Sequence, residues 1–312
     1  MKKLFSWVLL NSEGVTLSDK ILLFFIKIFY LGSRVTLRIV LGKRRRDKIY
    51  SERDLDFGSF WNSFYLFWNR GKNKRELLRF KTPKYNFEFY CRNNKDDFKI
   101  MTFHEDDILE HFAPKEGDVV VDIGAHIGPY TIIASKRVGH NGKVFAIEAD
   151  PDNFDILTRN IHLNKITNVI ALNYAVYSRE EKIKLYLPSG GKFHQSYTKF
   201  NTIMSDRAPG EGKFVEVAAN TLDSLLQSNQ IRHEDVNWIK IDVEGAEYEV
   251  LKGAEGILST GKDLSLLIEV HNLSSETNLF ESISKFLDLY NFKTEFEKKY
   301  DSGERHIIAS KH

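Results

Sequence analysis

The sequence predicts an α/β fold, a mostly parallel sheet flanked by helices and preceded by an N-terminal helical and β extension. Three observations predict it. Val119, Val120 and Val121 form a β-branched run suited to a strand buried on both faces, and the run breaks at Asp122 and Gly124 into a glycine turn. Gly128 and the helix-compatible stretch Tyr130 to Lys136 follow, so the segment reads strand, turn, helix. From Asp118 onward, strand and helix patterns alternate regularly.

A chain of 312 residues with 42% hydrophobic side chains is long enough for one large domain plus an extension. Residues 1–50 stand apart: they hold eleven Lys or Arg against three Asp or Glu, leaving 34 against 40 in the remainder. Ile21 to Leu41 is apolar except for Lys27, Arg34 and Arg38, and on a helix Lys20, Lys27, Arg34, Arg38 and Arg45 fall along one narrow stripe. Three placements fit that pattern. The helix lies in a membrane interface with its stripe at anionic head groups, it docks on the protein's own body, or it spans a bilayer at a cost of roughly 2.5–3.5 kcal/mol per central basic residue. A cleaved signal peptide is disfavoured, because Leu4 to Leu10 is short and no small-residue cleavage site follows. The expected location is cytoplasmic, peripheral at a membrane where the basic helix meets one. Cys91 is the only cysteine, which excludes an intramolecular disulfide and a cysteine-built zinc site. With the basic excess confined to the head, a nucleic-acid partner is disfavoured.

Residues 51–114 read as an aromatic-rich cap. Phe57, Phe60, Trp61, Phe64, Tyr65, Phe67 and Trp68 recur at mixed helical steps, and covering an edge of the next domain outweighs a ligand platform as their task. Tyr85 to Arg92 alternates as a strand does, with Lys99 to Phe103 as its expected partner. His104 to Phe112 reads as a short helix before Pro114 and Gly117 turn into the central strand.

Residues 115–312 form the main domain. Strands are expected at Val119 to Val121, Lys143 to Ile147, Val169 to Asn173, Trp238 to Asp242 and Leu264 to Val270. A helix from Asp152 to Leu163 has Asp150 or Asp152 as N-cap and Pro151 in its first turn. A second runs from Ala246 to Leu258. Ile183 to Leu187 and Phe214 to Ala218 read as an inserted antiparallel pair, separated by the polar loop Pro188 to Gly212. That loop is long for a compact domain and carries His194, Gln195, Ser196 and Tyr197, so a functional position over the strand ends is expected. The tail supplies a helix, Glu276 to Tyr290, and two edge strands, Phe292 to Glu297 and His306 to Ala309.

Two acids suggest what the glycine turn holds. Glu148 follows the strand Lys143 to Ile147, at about the distance downstream where α/β nucleotide sites place the residue that takes a ribose. Asp122 lies inside the turn, where it would repel a pyrophosphate. Together they favour a nucleoside with a cationic amino-acid tail. Gly124 and Gly128 also depart from the G-x-G-x-x-G spacing of dinucleotide sites.

Five blocks in order carry a resemblance: VVVDIGAHIGPYT at Val119 to Thr131, FAIEADPDNF at Phe145 to Phe154, NTLDSLL at Asn220 to Leu226, IKIDVEGAEYEVLKGA at Ile239 to Ala254, and LLIEVHN at Leu266 to Asn272. Over roughly Lys115 to Asn272 the chain resembles the FkbM family of S-adenosylmethionine-dependent methyltransferases. The resemblance implies a Rossmann-like, seven-stranded class I methyltransferase sheet and S-adenosyl-L-methionine as cofactor. It implies cofactor contacts at Asp122, Gly124, Ala125, Gly128, Tyr130, Thr131, Glu148, Ala149, Asn153 and Asp242. It further implies methyl transfer to a hydroxyl of a sugar, glycan or other small molecule. His126 departs from the glycine or asparagine common at its position in such enzymes.

Asp122, Glu148, Asp242, Glu244 and His271 are expected to converge at the carboxyl edge of the sheet. Asp242 or His271 would take the proton of an acceptor hydroxyl, and Glu244 is the third catalytic candidate. A divalent cation on Asp242, Glu244 and His271 is the weaker alternative, because His271 is the only good nitrogen ligand in these blocks, and no metal is assigned. Competing structural roles are plain enough. Asp122 and Asp242 would satisfy strand-end donors, Glu247 and Glu249 would complement a helix dipole, and His126 would fill a turn. Two other functions fit the residues: a nucleotide-cofactor oxidoreductase, and a non-catalytic membrane-attached binding module. The expected partners are a small-molecule or glycan acceptor and a membrane surface met through residues 1–50.

Overall fold

The computed structural model describes residues 77–81, 87–92, 97, 106–186, 214–271, 279–300 and 303–311. The basic helix, the aromatic stretch Phe57 to Trp68 and the loop Pro188 to Gly212 lie outside the described residues. The chain divides into two compact units, Met1–His104 and Glu105–His312. In the first, β1 (Leu78–Lys81) and β2 (Glu88–Cys91) pair antiparallel. The strand expected within Tyr85 to Arg92 is present, with Leu78–Lys81 opposite it; the partner expected, Lys99 to Phe103, lies outside the described residues.

The second unit begins with α1 (Asp106–His111) and is built on a seven-stranded sheet. Its first three strands are β3 (Val119–Ile123), β4 (Lys143–Ile147) and β5 (Val169–Leu172). Between them run α2 (Pro129–Val138) and α3 (Pro151–Leu163). Asp150 caps α3 by accepting from the backbone of Asp152 and Asn153, with Pro151 in the first turn as its sequence demanded. A side sheet follows, with β6 (Ala175–Val176) parallel and β7 (Glu181–Tyr186) antiparallel to β8 (Phe214–Asn220). The antiparallel pair was legible in the sequence; the two-residue β6 was not.

After α4 (Leu222–Ser228), the chain returns to the main sheet as β9 (Val236–Ile241) and β10 (Leu264–Val270). The helix expected from Ala246 to Leu258 is two, α5 (Glu247–Lys252) and α6 (Glu255–Thr260). Gly253 stands at the break, and a Cβ there would lie 2.0 Å from the carbonyl oxygen of Tyr177, so only glycine clears that backbone. The tail gives α7 (Leu279–Leu289), β11 (Lys293–Lys299) and β12 (Arg305–Lys311).

The sheet order is β11-β12-β10-β9-β3-β4-β5, with β12 antiparallel to both neighbours and the other central pairs parallel. Strand order reverses at β3, which puts the glycine turn at the switch point where ligands of open α/β sheets lie. One face packs Val121, Ile123, Ile239, Ile241, Leu266 and Ile268 into the largest core cluster. Because side chains alternate along a strand, the opposite face receives Asp122, Lys240 and their neighbours.

Candidate functional site

The turn after β3 is fixed by backbone. Gly124 and Ala125 both donate to the carbonyl of Ile147 at the end of β4, and Asp242 donates to that of Ile123. Gly124 has φ +74°, and a Cβ there would stand 1.8 Å from the carbonyl oxygen of Asp242. Only glycine lets β3 and β9 close at this point. His126 adopts φ +51°, in the left-handed region that asparagine and glycine enter most readily.

The two acids named from the sequence bracket that turn. Asp122 is buried; its Oδ2 accepts from Thr131 Oγ1 at 2.6 Å, so Thr131 orients the acid. Glu148 accepts from the backbone of His126 at 2.7 Å through Oε2 and of Asp150 at 2.9 Å through Oε1. Asn153 reaches Oε1 at 3.4 Å. Burial pushes the Glu148 carboxyl up to about 7 against the pull of those hydrogen bonds. Ala149 packs beside the Ala175 cluster, and Tyr130 meets Phe112 edge-on with ring centroids 5.5 Å apart.

These residues fit an adenosyl group carrying a charged methionine tail. Glu148 Oε2, with one donor, can accept a further hydrogen bond from a ribose hydroxyl, and Oε1 can do so in place of the long contact from Asn153. Asp122 Oδ1 is buried and accepts no hydrogen bond among the described residues; the Lys240 ammonium faces it at 3.6 Å, beyond hydrogen-bond reach, which leaves an acceptor site for a bound group.

Lys240 was not expected here. Its ammonium donates to the Gly124 carbonyl and to Asp242 Oδ2, both at 3.2 Å, stands 3.6 Å from Asp122 Oδ1, and lies 5.1 Å from the Tyr130 ring centroid. A buried lysine ties the glycine turn to the end of β9.

Asp242, Glu244 and His271 meet on the far side of Lys240. Glu244 Oε2 is 3.4 Å from His271 Nε2, and Glu244 itself has φ +54°. Two acids absent from the expected set complete the group. Glu247 is no solvated first-turn acid: fully buried, its Oε1 lies 2.8 Å from His271 Nδ1 and accepts from the Gly245 backbone at 2.8 Å. Glu269 lies 3.5 Å from His271 Nε2 through Oε1 and 3.2 Å from His306 Nε2 through Oε2. Glu249, by contrast, bonds Ser178 and Lys252, consistent with a structural task.

Burial acts to lower the His271 pKa, yet the charge of Glu244 and the hydrogen bond to Glu247 outweigh it and hold the imidazole well above the ordinary histidine range. Burial raises Glu244, so the Glu244–His271 pair keeps its proton to high pH. Burial works the same way on Glu269, but the His306 hydrogen bond and the charges of His271, His306 and Lys240 bring it down to about 2. The sequence signal for Glu269 was its spacing: in β10 and two residues before His271, which follows the strand directly, it lies on the same side of the extended chain.

Residues 122–294 match the family model described as the methyltransferase FkbM domain. Hexuronic acid methyltransferase AglP of Haloferax volcanii is 31% identical over 180 residues, which is 55% of this chain and 67% of that protein. Methyltransferase sdnD of Sordaria araneosa is 29% identical over 156 residues, covering 44% of this chain and 60% of that one. A solved SAM-dependent methyltransferase from Aquifex aeolicus aligns with a TM-score of 0.39 and 17% identity, over 67% of this chain and 89% of that chain. These matches lend no support to the oxidoreductase or the non-catalytic module. No helix among the described residues is long and apolar enough to cross a membrane.

Proposed function

Because this chain belongs to the FkbM family of S-adenosylmethionine-dependent methyltransferases, we propose that it methylates a hydroxyl group on a sugar or glycan. The observation that carries the reading is Asp242. Its carbonyl abuts Gly124 of the cofactor turn, its carboxylate is held by Lys240, and its side chain is 28% exposed where its neighbour His271 is 4% exposed. An acid so placed borders both the cofactor turn and the space an acceptor must enter.

When bound, the cofactor supplies a methyl group on a sulfonium, whose loss leaves a neutral thioether. The chain's own residues do the rest. Glu148 takes the ribose hydroxyls, and Asp122 Oδ1 receives a donor of the charged tail. Asp242 accepts the hydroxyl proton as the acceptor oxygen advances. The acids around His271 favour its charged form, which suits orientation of acceptor oxygens better than removal of a proton. Alignment of the oxygen with the methyl–sulfur axis is the larger contribution, and Lys240 serves it by fixing Asp242.

A sugar acceptor is supported by the similarity to the hexuronic acid methyltransferase. The test is methyl-label transfer to a panel of uronic acid and neutral glycans, followed by mild alkali. Label that survives alkali is an ether on a hydroxyl and upholds the reading. Alkali-labile label marks a carboxyl ester and overturns it. Binding of S-adenosylmethionine is measured separately by calorimetry.

A further inference from the structure

The methyl transfer proposed above needs Asp242 but leaves unexplained why Glu269, His271 and Glu247 are assembled beside it in a buried place. We propose that Asp242, Glu269 and His271 form a site for one divalent cation of the Mn2+ or Zn2+ class. One donor atom from each lies within 4.8 Å of the other two, a separation that a single ion with bonds of about 2.0–2.4 Å can bridge.

Each of the three is held by its other donor atom. Asp242 Oδ2 is bound by Lys240 at 3.2 Å, Glu269 Oε2 faces His306 Nε2 at 3.2 Å, and His271 Nδ1 faces Glu247 Oε1 at 2.8 Å. That leaves Glu269 Oε1 facing His271 Nε2 at 3.5 Å, with Glu244 Oε2 at 3.4 Å from the same nitrogen as a further oxygen beside the site. A carboxylate behind the remote nitrogen of a histidine is the arrangement that fixes the tautomer and ring plane of metal-bound imidazoles. A second observation comes from Glu247. Its Oε2 is buried and has no hydrogen-bond partner among the described residues, so this acid is held through Oε1 alone, on His271 Nδ1 and the Gly245 backbone, directly behind the histidine.

The donor set also names the ion. One imidazole and two carboxylates, with no sulfur, suit manganese or zinc better than the all-oxygen preference of magnesium and calcium. Access is from the Asp242 side, the most exposed of the three. A bound cation takes the place that a proton on Nε2 holds in its absence. With the ion bound, coordination lowers the pKa of the acceptor hydroxyl and takes over the activation that Asp242 alone provides without it; that use rests on the proposed reaction, whereas cation binding itself does not.

The full-length protein, stripped with chelator, is titrated with Mn2+ while the free ion is followed by electron paramagnetic resonance. Saturable uptake of one ion per chain is expected, weakened about tenfold or more in Glu269→Gln and in His271→Asn, and unchanged in Glu234→Gln on the exposed turn His233–Asp235. Melting curves of all variants separate loss of the ion from loss of fold. Absence of saturable uptake by the unaltered protein overturns the site whatever the variants do, and so does uptake that neither substitution weakens. Calorimetry with S-adenosylmethionine on the same preparation shows whether the methyltransferase reading stands independently.

Discussion

Asp122 and Lys240 are direct neighbours in register on parallel strands β3 and β9, and their charged groups are 3.6 Å apart in a nearly dry environment. The lysine is shared, because the same ammonium holds Asp242 and the Gly124 carbonyl. Removing one member of a buried ion pair leaves the other charge uncompensated.

Lys240→Met is therefore expected to destabilise the protein by roughly 3–5 kcal/mol in urea unfolding. Adding Asp122→Asn should recover part of that loss, because the stranded charge goes with it. Strictly additive costs in the double variant would show that the two groups do not interact.

Gly124→Ala should be far worse than its chemistry suggests. The added methyl meets the Asp242 carbonyl oxygen at 1.8 Å, so the closure of β3 on β9 must open and both stability and cofactor affinity fall together. Gly117→Ala is the control: its φ is +91°, but no atom lies within 4 Å of the new Cβ, and a backbone cost of about 1–2 kcal/mol is expected. Equal losses in the two melting curves would refute the close-approach argument.

Glu148 makes stability depend on pH. Its carboxyl titrates near 7 in the folded protein against an ordinary 4.5, so the unfolded chain releases this proton first as pH rises. The cofactor-free protein keeps the full contribution below about pH 4.5 and loses it by about pH 7, a change of about 3 kcal/mol. Thermal melts across that window should show the loss, and Glu148→Gln should flatten it. Affinity for S-adenosylmethionine should move the opposite way, weakening as pH falls through 7, because a protonated carboxyl accepts fewer hydrogen bonds from a ribose.

Asp242→Asn is expected to lower the rate of methyl transfer on the order of a hundredfold or more, as loss of a proton acceptor does. Glu249→Gln, seven positions after Asp242 in the same acidic stretch but bonded to Ser178 and Lys252, should stay within about twofold. Comparable losses would mean that the acceptor enters elsewhere.

Much of this site was legible before any coordinates, and the parts that were not share one cause. Val119 to Val121 and the turn at Gly124 announced themselves by residue type, and Asp122, Asp242 and His271 by standing where strands end. Lys240 and Glu269 lie within strands, where a charged residue is ordinarily taken to face water. Period two contains the remedy: Lys240 shares a face with Asp242, Glu269 with His271, and the register Asp122↔Lys240 and Glu269↔His306 sets them in adjoining rows. Pairing partners far apart in the chain had to be known before those rows could be drawn. Glu247 was obscured differently, since a first-turn acid has a sufficient local explanation. The close approach of the Tyr177 backbone to Gly253, where the helix splits, was hidden altogether, because it comes from a distant part of the chain.

The strand carrying His306 is synthesised after β10 and β11, yet it lies between them. A growing polypeptide cannot finish this sheet by adding strands at the rim; β11 has to wait until a later segment slots in beside β10. Since His306 anchors Glu269, the acidic cluster is incomplete until β12 has joined the sheet, and reactivity should switch on with that insertion instead of growing in gradually.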